Sequence, residues 1–595
     1  MEILEHLSFT PKETDIYKIH QSGDLANLDG LDDASLKALP SLKRLRDGLY
    51  SHEFRQFLCN VTGSASVSGK KTDMAINVYT PSCHLLCHDD VIGSRRISYI
   101  LYLTDPESPW KPEWGGALRL YPTEVLRDKV GTESVVPMPD HCKSIPPAFN
   151  QLSFFAVQPG LSFHDVEEVY PAQHSSSTQG EKARVRMAIS GWYHVPQEGE
   201  EGFDELESED AAKNSSLAQL EGRSHIHDRP QTHPSPYVQD EASEDLISQT
   251  EPDLSEEDLD FLLQYIAPTY LTPDALEEVS DTFRDECSIV LDKFLSSKFS
   301  DRLHEYIQTE EAKPHETIDM DWIVARPPHK HRYLYQRDSS SDTASPLQEL
   351  LKRLIPSLAF RKWFLLATGQ ILKSHDLLAR RFRRGKDYTL AQSYELDDPR
   401  IEICLAITPS SGWETDDMSI ENVKSSESTS EKPPDSDSRQ AEHASVGGYL
   451  AYMAGEDDEA EYGGSDHGIE VPADMSTGGR ATHAKKLKAD PAVYQAQGDD
   501  EDGVLFSMPA GWNKLGIVLR DKGTMRFVKY VSQGAKGDRW DIFGEFEIEN
   551  SDDSEEFQDE GQDEESGVEQ GFPQASTDSD NAEDHSEPTD TEDDG

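Results

Sequence analysis

Basic residues are scarce in this chain. Its 595 residues include 56 Lys and Arg against 114 Asp and Glu, a formal net charge of −58. A surface so charged repels phosphate backbones and anionic headgroups, so no direct nucleic acid and no membrane are expected among its partners; basic proteins are favoured. Cysteine is scarce as well: six, without regular spacing, indicate reduced thiols rather than a disulfide framework. Long apolar runs are missing, since no stretch approaches the roughly 20 residues that cross a bilayer. No basic segment followed by an apolar one opens the sequence. A soluble intracellular protein is expected, in nucleus and cytoplasm, which composition does not separate. Only 35% of residues are hydrophobic, so much of a chain long enough for two to four domains lies outside any core.

What is there is divided by charge. Residues 1–196 have mixed composition. From Gln197 to Asp260 there are twenty acidic and three basic residues, which reads as a disordered acidic linker over 197–258. Ordered patterning returns over 259–550, with disordered inserts expected near 414–445 and 455–503. Residues 551–595 hold nineteen acidic residues and no Lys or Arg, an acidic disordered tail. Linker and tail are solubilising chain on the plain reading, and salt-sensitive capture of basic partners on the functional one.

Within the first region Pro40–Tyr50 suits a helix, with Leu42, Leu45 and Leu49 on one face. The period then changes to two: Met74–Tyr79, Ile97–Leu103, Leu152–Val157 and Val185–Trp192 read as strands. Several short strands after an opening helix suggest a sandwich or jelly roll. The second region opens with a helix after Thr272-Pro273, whose stripe is predicted as Leu276, Val279, Phe283, Cys287, Val290 and Phe294. It closes with strands at 514–520, 525–531 and 540–546.

The chemistry sits in Cys87-His88-Asp89-Asp90 and in Phe163-His164. His-x-Asp on an extended segment puts two side chains on one side, and His164, after the Leu152–Val157 strand, is placed to supply a third. Two imidazoles and one carboxylate on one face of iron(II) leave the other face open. Arg186 on the following strand offers a planar fork for the far carboxylate of a chelating 2-oxo acid. Arg184 shares its parity; Ala188 and Ser190 beyond Arg186 are small and leave room for a ligand, which favours Arg186.

These segments have a family resemblance. Phe9–Leu25, Cys87–Asp90 with Arg95–Leu103, Gly115–Tyr121, Ile189–His194, and the later runs Trp512–Leu515 and Arg526–Ser532 resemble, in order, the fungal and animal ribosomal prolyl hydroxylases. The resemblance implies a mainly β chain with flanking helices: two double-stranded β-helix (jelly-roll) domains joined by an acidic linker, iron in the first only. It implies His88, Asp90 and His164 as metal ligands, Arg186 as the 2-oxoglutarate anchor, and Tyr102 and Tyr79 beside the cosubstrate. It further implies Fe(2+), 2-oxoglutarate and O2 as reactants and L-ascorbate to rescue oxidised iron. The implied partner is a proline-containing segment of a small-subunit ribosomal decoding-centre protein, hydroxylated at C3 and in fungi then at C4, with links to translation termination and oxygen sensing. The match begins inside the family's leading segment, so it also implies a helix and strand before residue 1. The interval from His164 to Arg186 is longer than the family's, with Ser175–Gly180 the expected insertion.

Other readings fare worse. Cys83-His84 and Cys87-His88 lack the second pair that a zinc knuckle needs. A hydrolytic zinc site gives Arg186 and the tyrosines no task. A nucleic-acid demethylase wants a basic groove. The serious alternative is an oxygen-responsive binding protein acting on transcription factor turnover through its second region, where Asp466-His467 supplies no metal pattern.

Overall fold

The computed structural model describes residues 2–31, 33–127, 131, 133–171, 184–203, 227–237, 253–313, 322–337, 345–413, 446–454 and 503–549. The expected inserts, the tail, the Ser175–Gly180 insertion and Asp466-His467 lie outside them. Residues 1–549 cluster as one unit.

The first half is built of β1 (Thr10–Glu13), β2 (Tyr17–Gln21), β3 (Thr72–Tyr79), β4 (His84–His88), β5 (Arg95–Tyr102), β6 (Leu118–Leu120), β7 (Thr123–Arg127), β8 (Glu133–Pro137), β9 (Lys143–Ile145), β10 (Leu152–Ala156), β11 (His164–Val166) and β12 (Arg186–His194). The main sheet runs β10-β5-β12-β3-β2-β4-β11-β6-β9, with β1 on β2 and β7 paired to β8 outside it. This is the curled jelly roll that the period-two patterning predicts. Helices Pro40–Leu49 and His52–Thr62 cover the outer face of its larger wall. Leu42, Leu49 and Leu58 pack there against Met74, Ile76, Ile97, Tyr99 and Ile189.

The second half follows with β13 (Ser235–Pro236), β14 (Ser288–Asp292), β15 (Ile323–Val324), β16 (His331–Arg332), β17 (Leu334–Gln336), β18 (Leu372–Phe382), β19 (Tyr388–Ser393), β20 (Arg400–Ile407), β21 (Leu450–Met453), β22 (Val504–Met508), β23 (Trp512–Arg520), β24 (Met525–Val528) and β25 (Arg539–Ile548). They form one wall, β14-β23-β20-β25-β18-β17-β15, and a smaller one, β16-β19-β24-β21-β22. Helices Pro273–Glu286 and Leu358–Thr368 cover the larger wall through Phe283, Phe360, Trp363 and Phe364.

Two expectations change. The helix after Thr272 stops at Glu286, because Cys287 takes a left-handed conformation (φ 54°) and caps it. Val290 therefore belongs to β14 and is exposed rather than part of an apolar stripe. Part of the span read as linker also has defined structure: β13 pairs with β18, and a capping box at Ser255 starts helix Glu256–Leu262.

The halves differ most between their walls. In the second, Tyr333, Phe382, Leu450, Tyr452 and Phe543 belong to a large apolar cluster, beside a cavity of about 330 Å3. In the first, Ile100, Tyr102, Leu118 and Ala188 form a smaller buried apolar cluster there, next to one that includes Tyr79 and Val166.

The halves meet directly behind β4. Ile16 and Leu86 pack against Tyr388, Leu390 and Tyr530, and the His84 and Tyr530 rings are 4.4 Å apart. Glu168, 1% exposed, accepts hydrogen bonds from the Tyr530 and Ser532 hydroxyls and the Gln533 N–H. Burial raises its pKa, and those donors only partly offset the rise. Glu168→Ala strands three buried donors at about 1–3 kcal/mol each before relaxation, so a net loss of roughly 3 kcal/mol is expected. Urea denaturation reads it, and an unchanged midpoint would show that the seam does not depend on Glu168.

Candidate metal centre

His88 closes β4 and His164 opens β11. The two strands are antiparallel neighbours that place these residues directly opposite each other. Their rings lie 4.3 Å apart. Asp90 stands between them: its Oδ1 is 3.3 Å from His88 Nε2, and its Oδ2 is 3.6 Å from His164 Nε2. Donors at about 2.1 Å and right angles around one ion lie about 3 Å apart, so these three fit around one. Among the described residues this is the one group of three His, Cys, Asp or Glu whose ligand atoms converge, all within 4.8 Å.

Strand alternation does not account for Asp90. β4 ends at His88, and Asp90 has φ 63°, in the left-handed region, where Asp is tolerated better than most residues. The carboxylate is thus brought back by a turn, not by strand parity. Asp89 fixes that turn. It is fully buried, accepts from Val91 N at 3.1 Å, and its carbonyl accepts from the Ser162 hydroxyl at 2.8 Å. One residue therefore ties the end of β4 to the loop that carries His164.

Both imidazoles are held the same way. His88 Nδ1 lies 2.8 Å from the Leu86 carbonyl, and His164 Nδ1 lies 2.8 Å from the Ser162 carbonyl. A carbonyl only accepts, so each Nδ1 carries hydrogen and each Nε2 is turned to the site, as metal-ligating histidines require. Burial pushes Asp90 up, but the neighbouring His164 and His88 outweigh it and hold it well below the usual carboxylate range. Burial, then the His88 charge, lowers His164 to about 4. Burial also opposes the charge on His88, but the bond to Asp90 prevails and raises its pKa. An arriving cation displaces that proton. Arg95 completes the setting, 3.8 Å from Asp90 Oδ1 with its guanidinium 3.6 Å above the Trp192 ring.

The first residue of β12 is Arg186, 1% exposed. Its guanidinium lies 4.5 Å from the Tyr79 ring centre and 5.1 Å from that of Tyr102. Nε donates to the Gly116 carbonyl at 2.8 Å. Gly116 has φ 72°, and a Cβ there would meet Arg186 Cδ at 3.1 Å, which explains a glycine at that point. One Arg186 Nη and the Tyr102 hydroxyl are buried without a partner. Two orphaned donors beside the fully buried Ala188 fit a missing carboxylate. Burial lifts Tyr79 to about 12, keeping it neutral. Arg184 lies elsewhere: it donates to the Tyr170 and Pro171 carbonyls and faces Trp114.

All six residues singled out in the sequence thus fall into two adjoining groups, His88, Asp90 and His164 in one, Arg186, Tyr102 and Tyr79 in the other. Asp89, Arg95 and Gly116 were missed. Only the Arg95-Arg96 pair five residues past Asp90 hinted at one of them. Asp89→Ala is expected to lower iron(II) affinity ten- to a hundredfold, as loss of an outer-shell support does. Equilibrium dialysis measures it, and unchanged affinity would mean that Asp89 merely packs.

Comparison with known proteins agrees with this geometry. Residues 74–194 match the 2OG-Fe(II) oxygenase superfamily, and residues 257–555 match the family described as oxoglutarate and iron-dependent oxygenase degradation C-term. The chain is 30% identical over 569 residues to the prolyl 3,4-dihydroxylase OGFOD1 of Ostreococcus tauri, covering 91% of this chain and 90% of that one. It is 26% identical over 558 residues to the prolyl 3-hydroxylase OGFOD1 of Mus musculus, covering 88% and 80%. A crystal structure of a Pseudomonas putida prolyl-4-hydroxylase aligns with 32% of this chain and 78% of its own, at 19% identity and a TM-score of 0.19, too weak to argue from. The chain belongs to the iron(II)- and 2-oxoglutarate-dependent oxygenases, in the family of the OGFOD1 proteins.

Proposed function

We propose that the chain hydroxylates a peptidyl proline in a small-subunit ribosomal protein, using iron(II), 2-oxoglutarate and O2. The observation that carries the reading is the pairing of a His-Asp-His donor set with two orphaned buried donors. Its relatives' names supply the proline. His88, Asp90 and His164 hold the metal. Arg186 and Tyr102 bind the far carboxylate of 2-oxoglutarate, and Tyr79 floors the guanidinium. When bound, metal and cosubstrate supply the oxidation that inserts one oxygen atom, with release of succinate and CO2. The chain's own share is to orient them, to turn Nε2 of both histidines toward the metal, and to exclude water.

The same reading divides the chain into a catalytic segment (1–196), an acidic connector (197–258) and a non-catalytic segment (259–550), and places the protein in nucleus and cytoplasm. A second reading has support in the description of the family matched by residues 257–555: the second half acts in protein turnover by binding. Replacing His88 and Asp90 separates the two, because a binding role survives it.

The test is incubation with iron(II), 2-oxoglutarate and a proline-bearing peptide from that ribosomal protein, weighed by mass spectrometry. A gain of 16 or 32 mass units, one or two oxygen atoms, is expected, and no gain with iron and 2-oxoglutarate bound would overturn the substrate. Arg186→Gln removes a charge-assisted fork of about 3 kcal/mol. It should raise the KM for 2-oxoglutarate about a hundredfold, with Tyr102→Phe costing closer to fivefold. An unaltered KM in both would move the anchor elsewhere.

A further inference from the structure

The second half repeats the first along its site-bearing strands. In β12 and β3, Arg186 pairs with Tyr79, Ala188 with Asn77 and Gly191 with Met74. In β25 and β18 the same spacing pairs Arg539 with Phe382, Asp541 with Arg380 and Gly544 with Leu377. Gly115, three residues before Leu118 at the start of β6, would clash with the Glu168 carbonyl at 2.0 Å if it had a Cβ. Gly447, standing likewise before Leu450, would clash with the Tyr530 carbonyl at 2.0 Å.

Register then carries each site residue across. Val166 pairs with Leu118 and His164 with Leu120; Val528 pairs with Leu450 and Arg526 with Tyr452. His164 corresponds to Arg526. His88 pairs with His164 as Gln392 pairs with Arg526, so His88 corresponds to Gln392. Two residues on, Asp90 corresponds to Tyr394. The three metal-ligand positions of the first half are Gln392, Tyr394 and Arg526 in the second, and all three line one cavity of about 330 Å3.

The deep end of the second half is closed by its own chain. Arg539, the counterpart of Arg186, is paired with Asp541, which stands where the first half has Ala188. Asp541 is gripped from the other side by Arg380 at 2.7 and 3.0 Å. A built-in carboxylate thus occupies the position of the first half's orphaned donors. The mouth remains open, and it is cationic. Arg400, Arg520 and Arg526 share two carboxylates. Glu402 is 2.9 Å from Arg520 and also bonds Arg400 and Arg526, while Glu545 is 2.9 Å from Arg400 and 3.0 Å from Arg526. The other cations of the wall, Lys330, Arg337 and Arg380, pair with Asp228, Asp376 and Asp541 respectively. Glu395 stands exposed at the rim, where water screens it. Three guanidiniums against two carboxylates leave one positive charge that the interior does not compensate, a costly arrangement when the space is empty.

We propose that this cavity binds a small organic carboxylate, gripped by Arg526 and Arg400 at the place where the first half holds its metal. Guanidinium forks match a carboxylate in plane, and Leu378 and Phe543, which line the same cavity, receive a short carbon skeleton. The site needs neither iron nor the first half's anchor.

Calorimetric titration of the full chain carrying Arg186→Gln, without iron, tests it with acetate, succinate and inorganic phosphate at constant ionic strength. One carboxylate per chain is expected, bound at least tenfold more weakly after Arg526→Gln. Because that change strips a partner from Glu402, Gln392→Trp is the second variant: it fills the cavity, keeps every ion pair, and should weaken binding as much with the thermal midpoint retained. Absence of carboxylate binding, binding that survives both variants, or phosphate binding as tightly as succinate would overturn the proposal. None of these outcomes touches the hydroxylation reading, which is measured with iron and through Arg186.

Discussion

A carboxylate cannot be buried between β-sheets unless positive charge or donors surround it, and the placement of Asp90 governs the first half. At 5% exposure it needs both imidazoles, so β4 and β11 must be neighbours in the register that sets His88 opposite His164. The imidazoles in turn need acceptors on Nδ1, which only the backbone at Leu86 and Ser162 supplies. Two carbonyls, each two residues before its histidine, therefore select the tautomer of both. The three side chains are assembled before a metal arrives, and the cost of reorganising ligands on binding is small.

The contrast between the halves shows how one topology gives two outcomes. In the first, Ala188 leaves Arg186 with a free donor. In the second, Asp541 at the matching position pairs with Arg539, and aromatic side chains lie beside it. The residue at that position sets whether the buried arginine meets a carboxylate of its own chain or leaves an Nη for a ligand's.

Much of this was legible in the sequence. Period-two runs located β3, β5, β10 and β12 to within about two residues, since one face of each is strictly apolar. His88, Asp90 and His164 stood out less by residue type, in a chain with 21 His and 114 acidic residues, than by the His-x-Asp spacing followed by a later His and Arg and by the family resemblance. Arg186 could be preferred over Arg184 from the small residues beyond it, and the structure separates the two by where each guanidinium goes. Three things were not legible. The left-handed turn at Asp90 is a backbone choice that tertiary ties through Asp89 impose. The end of the helix at Glu286 depends on Cys287 adopting a conformation that its residue type does not advertise. The correspondence of Gln392, Tyr394 and Arg526 with the metal ligands exists only in register, because none of the three residue types is shared.

The seam explains why a half without this donor set is attached to the one that has it. Leu86, whose carbonyl orients His88, packs on Tyr388 and Leu390. Phe163, next to His164, is stacked on His329 at 4.9 Å. Asp165, on the other side of His164, is held by Arg119 at 2.8 and 2.7 Å and by the Tyr121 hydroxyl at 2.6 Å. The residues flanking both histidines are thus clamped, partly by the second half, and that clamp stands behind the strands rather than across the open face. That packing makes the second half part of the scaffold of the first.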